Sequence, residues 1–194
     1  RTHRPHSFIL ESAAWCWKLL MGQREAERSA ATWEAVKGQP YFTLPLQLNS
    51  DYQIRVHSPF GDMRAALRFV IKSFAEHAPQ GVALLVKRHP LDPGLVGWER
   101  LTRKLAAHYG VGDRLHYLSD WDIAEVVQTS LGVVTVNSTV GTLALNSAKP
   151  VVVLGHAVYK VPGIVHHTSL DSFWGAPRQP LPALACLACL ACLA

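Results

Sequence analysis

The sequence predicts an α/β protein built on a Rossmann-like parallel sheet. Three observations predict it. Between residues 41 and 155, short apolar runs alternate with helix-length segments, in the order strand, helix, strand, helix, strand, helix, strand, helix, strand. Val82-Ala83-Leu84-Leu85-Val86 is an unbroken apolar run, as in a strand covered on both faces. Met63, Ala66, Leu67, Val70, Ile71 and Phe74 recur at the spacing of one helix face.

The elements follow in order. Residues 41–46, Tyr-Phe-Thr-Leu-Pro-Leu, read as the first strand. Asp62 caps the first helix of the sheet region, and Pro79 closes it. The second strand spans 82–86, and helix-like text then runs to Tyr109 with Gly110 as its stop. A short strand covers 114–118. Asp120 is expected to cap a helix carrying Ile123, Val126 and Val127. A strand at 132–136, a helix at 138–147 and a strand at 151–154 complete the pattern. Ahead of the sheet, 8–21 is an apolar segment with Trp15, Trp17, Leu19 and Leu20 that reads as a packed helix. Residues 22–40 are polar and Ala-rich, a helix or linker ending at Gly38-Gln39-Pro40. Three parts result: 1–40, a sheet domain at 41–180, and a tail at 181–194.

Composition narrows the function. The chain has 194 residues, 49% hydrophobic and 17% charged, which excludes a disordered chain. A formal net charge of +5 suits a protein that handles phosphates. The basic residues are scattered and lack interleaved aromatics, which argues against a nucleic-acid reader. No run approaches ~20 uninterrupted apolar residues. With no basic-then-apolar leader visible and Cys16 the one thiol outside the tail, a reducing, cytoplasmic setting is expected. Cys186, Cys189 and Cys192 sit in a Leu-Ala-Cys repeat that drifts around a helix and offers no fourth ligand, so no metal is expected there.

Parallel sheets bind ligands at the carboxyl ends of their strands, so chemistry is sought there. After the first strand come Gln47, Asn49, Ser50 and Asp51; a carboxylate in that position serves as nucleophile or base, and the same residues also suit an Asx turn. After the second come Lys87, Arg88 and His89, with Pro90 aiming the imidazole; two cations beside a histidine suit a phosphate or a solvated loop. After the fourth come Asn137, Ser138 and Thr139, opening a helix. Free N–H groups and hydroxyls there would hold an anion, and the same atoms make an ordinary cap. There is no Walker-type loop and no G-x-G-x-x-G after a strand. His166 and His167 are adjacent and would point apart, which argues against a metal pair.

Taken in order, 41–51, 53–60, 87–92, 133–141, 154–159 and 170–174 resemble the bacterial capsule polysaccharide biosynthesis/export proteins, the β-Kdo glycosyltransferases of group 2-type capsule linker assembly. The likeness runs from about Tyr41 to Pro180. It implies a lobe similar to the C-terminal nucleotide-binding half of a GT-B glycosyltransferase, here as a fragment, with residues 1–40 the remnant of an N-terminal lobe. It implies CMP-Kdo as donor, a phosphatidylglycerol-based lipid-linked acceptor and no cofactor. It also implies contact with capsule export machinery and a peripheral place on the inner leaflet, for which the Trp15 and Trp17 segment is a candidate anchor. The family's Gln-x-x-x-Asp motif falls on Gln47 and Asp51, its His-Pro motif on His89 and Pro90, and its nucleotide-binding element on Ser138 and Thr139. Asp51 would be the reacting carboxylate, with Gln47 beside it, and His89 with Lys87 would meet the phosphate. Arg88 stands where the family often has Lys, a change that keeps charge but not geometry. A non-catalytic assembly factor and a sugar-nucleotide epimerase are the alternatives.

Overall fold

A computed structural model describes residues 8–48, 54 and 58–181. The candidate carboxylate Asp51 and the Leu-Ala-Cys tail lie outside the described residues, as do the side chains of Trp15 and Trp17.

Among the described residues ahead of the sheet, one helix, α1 (Phe8–Val36), runs through the apolar segment and on into the polar one, so of the two options for 22–40 the helix holds as far as Val36. Its 29 residues span about 44 Å. The Ala, Glu, Gln and Arg around Gly22 are strong helix formers and carry the helix through that one weak position. Near its end Ser29, Trp33 and Val36 are buried at helical spacing, so this part of α1 docks on the sheet.

The sheet region alternates as expected: β1 (Tyr41–Pro45), α2 (Met63–His77), β2 (Ala83–Lys87), α3 (Trp98–His108), β3 (Leu115–Leu118), α4 (Ile123–Thr129), β4 (Gly132–Thr135), α5 (Val140–Asn146), β5 (Val151–Val153) and α6 (Leu170–Gly175). All four strand pairings are parallel, in the order β3-β2-β1-β4-β5. Register places Tyr41 beside Ala83, Leu84 beside Leu115, Phe42 beside Gly132 and Val133 beside Val151.

Strand alternation feeds two helical layers. Phe42, Leu44, Leu84, Val86, Val134 and Val152 face the core formed with α2, α3 and α6. Tyr41, Ala83 and Leu85 pack with Trp33 and Val36 of α1, while Val133, Val151 and Val153 pack with α5. Every residue of the expected helix face, from Met63 to Phe74, is fully buried. Asp62 caps α2 by accepting from the Ala65 N–H at 2.7 Å, a contact of about 1 kcal/mol. Ala78 is extended, as a residue before proline must be, and ends the helix.

Two expected caps shift. Asp122, not Asp120, caps α4, accepting from the Ala124 N–H at 2.9 Å. Asp120 instead donates its own N–H to Ser29 Oγ at 3.0 Å, which ties the end of β3 to α1. Helix α5 begins at Val140 rather than Ser138, with Thr139 at the N-cap position.

The segment Leu170 to Trp174 locks the far side. Trp174 meets Phe42 and Phe74 edge-on, with ring centres 5.2 and 5.3 Å away, and donates Nε1–H to Ser73 Oγ at 2.8 Å. Ser73 in turn donates to Asp171 at 2.6 Å. His166 is buried here and His167 exposed, so the adjacent pair does point apart.

Candidate functional site at the carboxyl ends of β1, β2 and β4

The chain builds β1, β2 and β3 outward in one direction, then returns to lay β4 on the other side of β1. That reversal opens a crevice at the carboxyl ends of β1 and β4. A cavity of about 370 Å³ occupies it. Lys87, His89 and Pro90 line one side, and Ser138 and Thr139 the other. Pro45, Leu46, Trp121, Ile123 and Val140 supply apolar walls. The structure therefore brings together six of the sequence-predicted residues, Arg88 among them, from two loops about 50 positions apart.

The β2 loop is a tight turn. The Asp92 N–H donates to the His89 carbonyl at 3.0 Å, placing Pro90 second in the turn, where its fixed φ fits. The Leu91 N–H donates to His89 Nδ1 at 3.1 Å. Asp92 is buried, and its two carboxylate oxygens accept from the Gly94 N–H at 2.6 Å and from Trp98 Nε1–H at 2.7 Å. Lys87 is 4% exposed, and its ammonium donates to the carbonyls of Arg88 at 3.0 Å and Ser119 at 3.4 Å.

Arg88 departs from the expected phosphate cluster. Its guanidinium pairs with both carboxylate oxygens of Glu25 on α1, at 3.2 and 2.6 Å. Burial opposes its charge, but the Glu25 bond and the surrounding carboxylates win, and its pKa is raised. Arg88 therefore reaches the cavity wall beside Lys87 with its guanidinium already engaged by Glu25.

The β4 loop is held from below. Gln47 is buried and its Oε1 accepts from the Asn137 N–H at 2.9 Å. The Ser138 N–H donates to Thr135 Oγ1 at 2.9 Å, and the Val140 N–H donates to Ser138 Oγ at 3.2 Å. The Gly141 N–H goes to the Ser138 carbonyl at 3.0 Å. The amides of Asn137, Ser138, Val140 and Gly141 thus serve the turn itself rather than an anion, and Ser138 and Thr139 line the cavity. Gln47 and Asn137 lie beneath it rather than in its lining.

Two glycines permit the close packing around this loop. A Cβ on Gly155 would sit 2.3 Å from Asn137 Oδ1. One on Gly141 would overlap the Tyr159 hydroxyl, which donates to the Ser138 carbonyl. Neither contact is visible in the sequence, since both join separate strands' loops.

Residues 1–192 match the family described as capsule polysaccharide biosynthesis protein. The chain belongs to that family. It is 38% identical over 148 residues to the capsule polysaccharide modification protein LipB of Neisseria meningitidis, covering 76% of this chain and 35% of LipB. It is 37% identical over 142 residues to the capsule polysaccharide export protein KpsS of Escherichia coli, covering 73% and 36%. The capsule-family chain therefore spans about a third of the length of the curated relatives it matches. Among solved structures it is similar to Thermosulfurimonas dismutans KpsC, a beta Kdo 2,7 transferase, at 19% identity and a TM-score of 0.48, over 88% of this chain and 63% of that one.

This capsule-family chain has a second cavity, about 270 Å³, between α1, α3 and the edge strand β3. Glu25, Arg28, Glu99, Thr102, Arg103 and Tyr117 line it. Burial pushes the Tyr117 phenol well above its ordinary pKa. The Glu25–Arg88 pair joins the two cavities, Glu25 lining this one and Arg88 the first. Among the described residues, no three His, Cys, Asp or Glu side chains come together as a metal site. No described helix is long and apolar enough to cross a membrane.

Proposed function

We propose that this chain is the nucleotide-binding lobe of a glycosyltransferase that transfers Kdo from CMP-Kdo to a phosphatidylglycerol-based capsule linker. The observation that carries the reading is the shared cavity at the sheet's switch point, with His89 on one loop and Ser138 and Thr139 on the other. Apolar walls from Leu46, Pro90 and Trp121 suit a nucleobase, and imidazole and hydroxyl donors suit a phosphate. Membership of the capsule family supports a sugar nucleotide as the ligand.

In this reading the bond from the Kdo anomeric carbon to the phosphate oxygen breaks, and CMP leaves with the electron pair. Hydrogen-bond donors at the cavity hold the charge that develops on that oxygen. Asp51, four residues beyond the anchored Gln47, is the reacting carboxylate. It attacks the anomeric carbon if the reaction retains configuration, or takes the acceptor's hydroxyl proton if it inverts. The acceptor is lipid-linked, the second lobe of a GT-B enzyme completes the cleft, and the work is done at the cytoplasmic face of the inner membrane beside the export machinery. The resident chemistry needs no cofactor.

Calorimetry with CMP and UMP tests the reading. Saturable binding of CMP, weaker for UMP, is expected. Turnover of a UDP-sugar with no response to CMP would overturn it in favour of an epimerase. In the full-length protein, Asp51→Asn is expected to abolish Kdo transfer while leaving CMP binding within about twofold.

A further inference from the structure

The β2 turn fixes which nitrogen of His89 carries its proton. A backbone amide can only donate, so the Leu91 N–H at 3.1 Å from Nδ1 requires a lone pair there. The neutral ring is then the tautomer with its proton on Nε2. An imidazolium would set an Nδ1–H against the Leu91 N–H and lose that bond. From this geometry we infer that His89 serves the cavity as a fixed Nε2–H hydrogen-bond donor rather than as a proton-donating acid, and that Asp92 is the positioning residue that keeps it so. The inference rests on the reading that the cavity takes a nucleotide phosphate.

Asp92 holds the turn at three points. Its N–H closes the turn on the His89 carbonyl at 3.0 Å. One carboxylate oxygen accepts from the Gly94 N–H and the other from the indole of Trp98. Trp98 is 1% exposed and Asp92 3%, so the anchor sits in the core while His89 reaches the cavity. A buried carboxylate with both oxygens accepting is held in one orientation. The Leu91 amide is therefore held where it faces Nδ1, and the ring cannot exchange tautomers without opening the turn. A phosphate oxygen bears lone pairs only, so a fixed N–H is matched to it without any proton moving.

Nitrogen–proton correlation spectra of the imidazole rings test this on the full chain at mildly alkaline pH, where histidine is neutral. His89 is expected to show a pyridine-like Nδ1 and a pyrrole-like Nε2. In Asp92→Asn the two nitrogens are expected to move toward averaged positions, with the rings of His108 and His116 unchanged. CMP affinity is expected to fall roughly tenfold in the same variant, the size of one hydrogen bond. A wild-type ring protonated at Nδ1 overturns the inference, as does an unchanged His89 spectrum in a folded Asp92→Asn. If that variant does not fold, the wild-type spectrum alone decides. Absence of CMP binding with the Nε2–H form in place removes the functional reading and leaves the tautomer assignment standing.

Discussion

The two loops that meet at the cavity are built in opposite ways. The β2 loop turns on proline and a buried carboxylate, and its backbone is fixed so that one side chain, His89, is presented. The β4 loop turns on a relay of side-chain oxygens from Gln47, Thr135 and Ser138, which take up the amides of Asn137, Ser138 and Val140. One loop aims a ring and the other consumes the amides that a phosphate-binding nest would offer. An anion in this cavity meets side-chain donors more than backbone ones. The β2 loop is then the stronger determinant of binding and the β4 loop the stronger determinant of shape.

That contrast breaks first at His89. His89→Ala is expected to weaken CMP binding by about ten- to a hundredfold, the range for a hydrogen bond to a charged group, with an unchanged melting temperature. Titration calorimetry checks it, and equal affinity would remove the asymmetry between the loops. Next comes the anchor of the β4 loop. Gln47→Ala leaves the Asn137 amide without its acceptor and is expected to cost about 1–3 kcal/mol in denaturant unfolding. Gly155→Ala, which drives a methyl into the Asn137 amide, is expected to cost a similar amount. Ser138→Ala and Thr139→Ala are expected to change CMP affinity by only about two- to fivefold each. An effect as large as that of His89→Ala would make the two loops equals.

The smallest effect concerns pH and lies outside both loops. Burial lowers the pKa of His166 and of His116, so the unfolded chain binds protons that the folded chain does not. The stability of the neutral rings is fully present above the ordinary imidazole value of about 6.5 and declines as pH falls below it. Melting temperature is expected to hold above neutrality and drop on acidification, with His166→Gln flattening part of the drop.

Much of the fold was legible because its signals are local. The apolar run at 82–86 and the spaced face from Met63 to Phe74 each mark a surface that must be buried, and both are. Boundaries were less legible where competing partners decide them. Asp120 was the expected cap; its contact with Ser29, 91 residues away, draws it off, and Asp122 takes the role. The site divides likewise. Lys87, His89, Pro90, Ser138 and Thr139 were named from their place after strands, and the switch point gathers them. The pairing of Arg88 with Glu25 was not legible, because the partner lies 63 residues earlier. Asp92 was visible as part of a motif, but its role depends on Trp98 and on a backbone turn. Asp51 falls outside the described residues, so its part in the chemistry rests on sequence position.

The most direct measurement is mapping of amide shifts in the full chain as CMP is added. The account predicts saturable shifts at Leu91, Thr139 and the Trp121 indole, around the switch-point cavity. Shifts centred instead on Glu99, Thr102 and Tyr117, in the cavity beside β3, or no saturable shift at all, would contradict it.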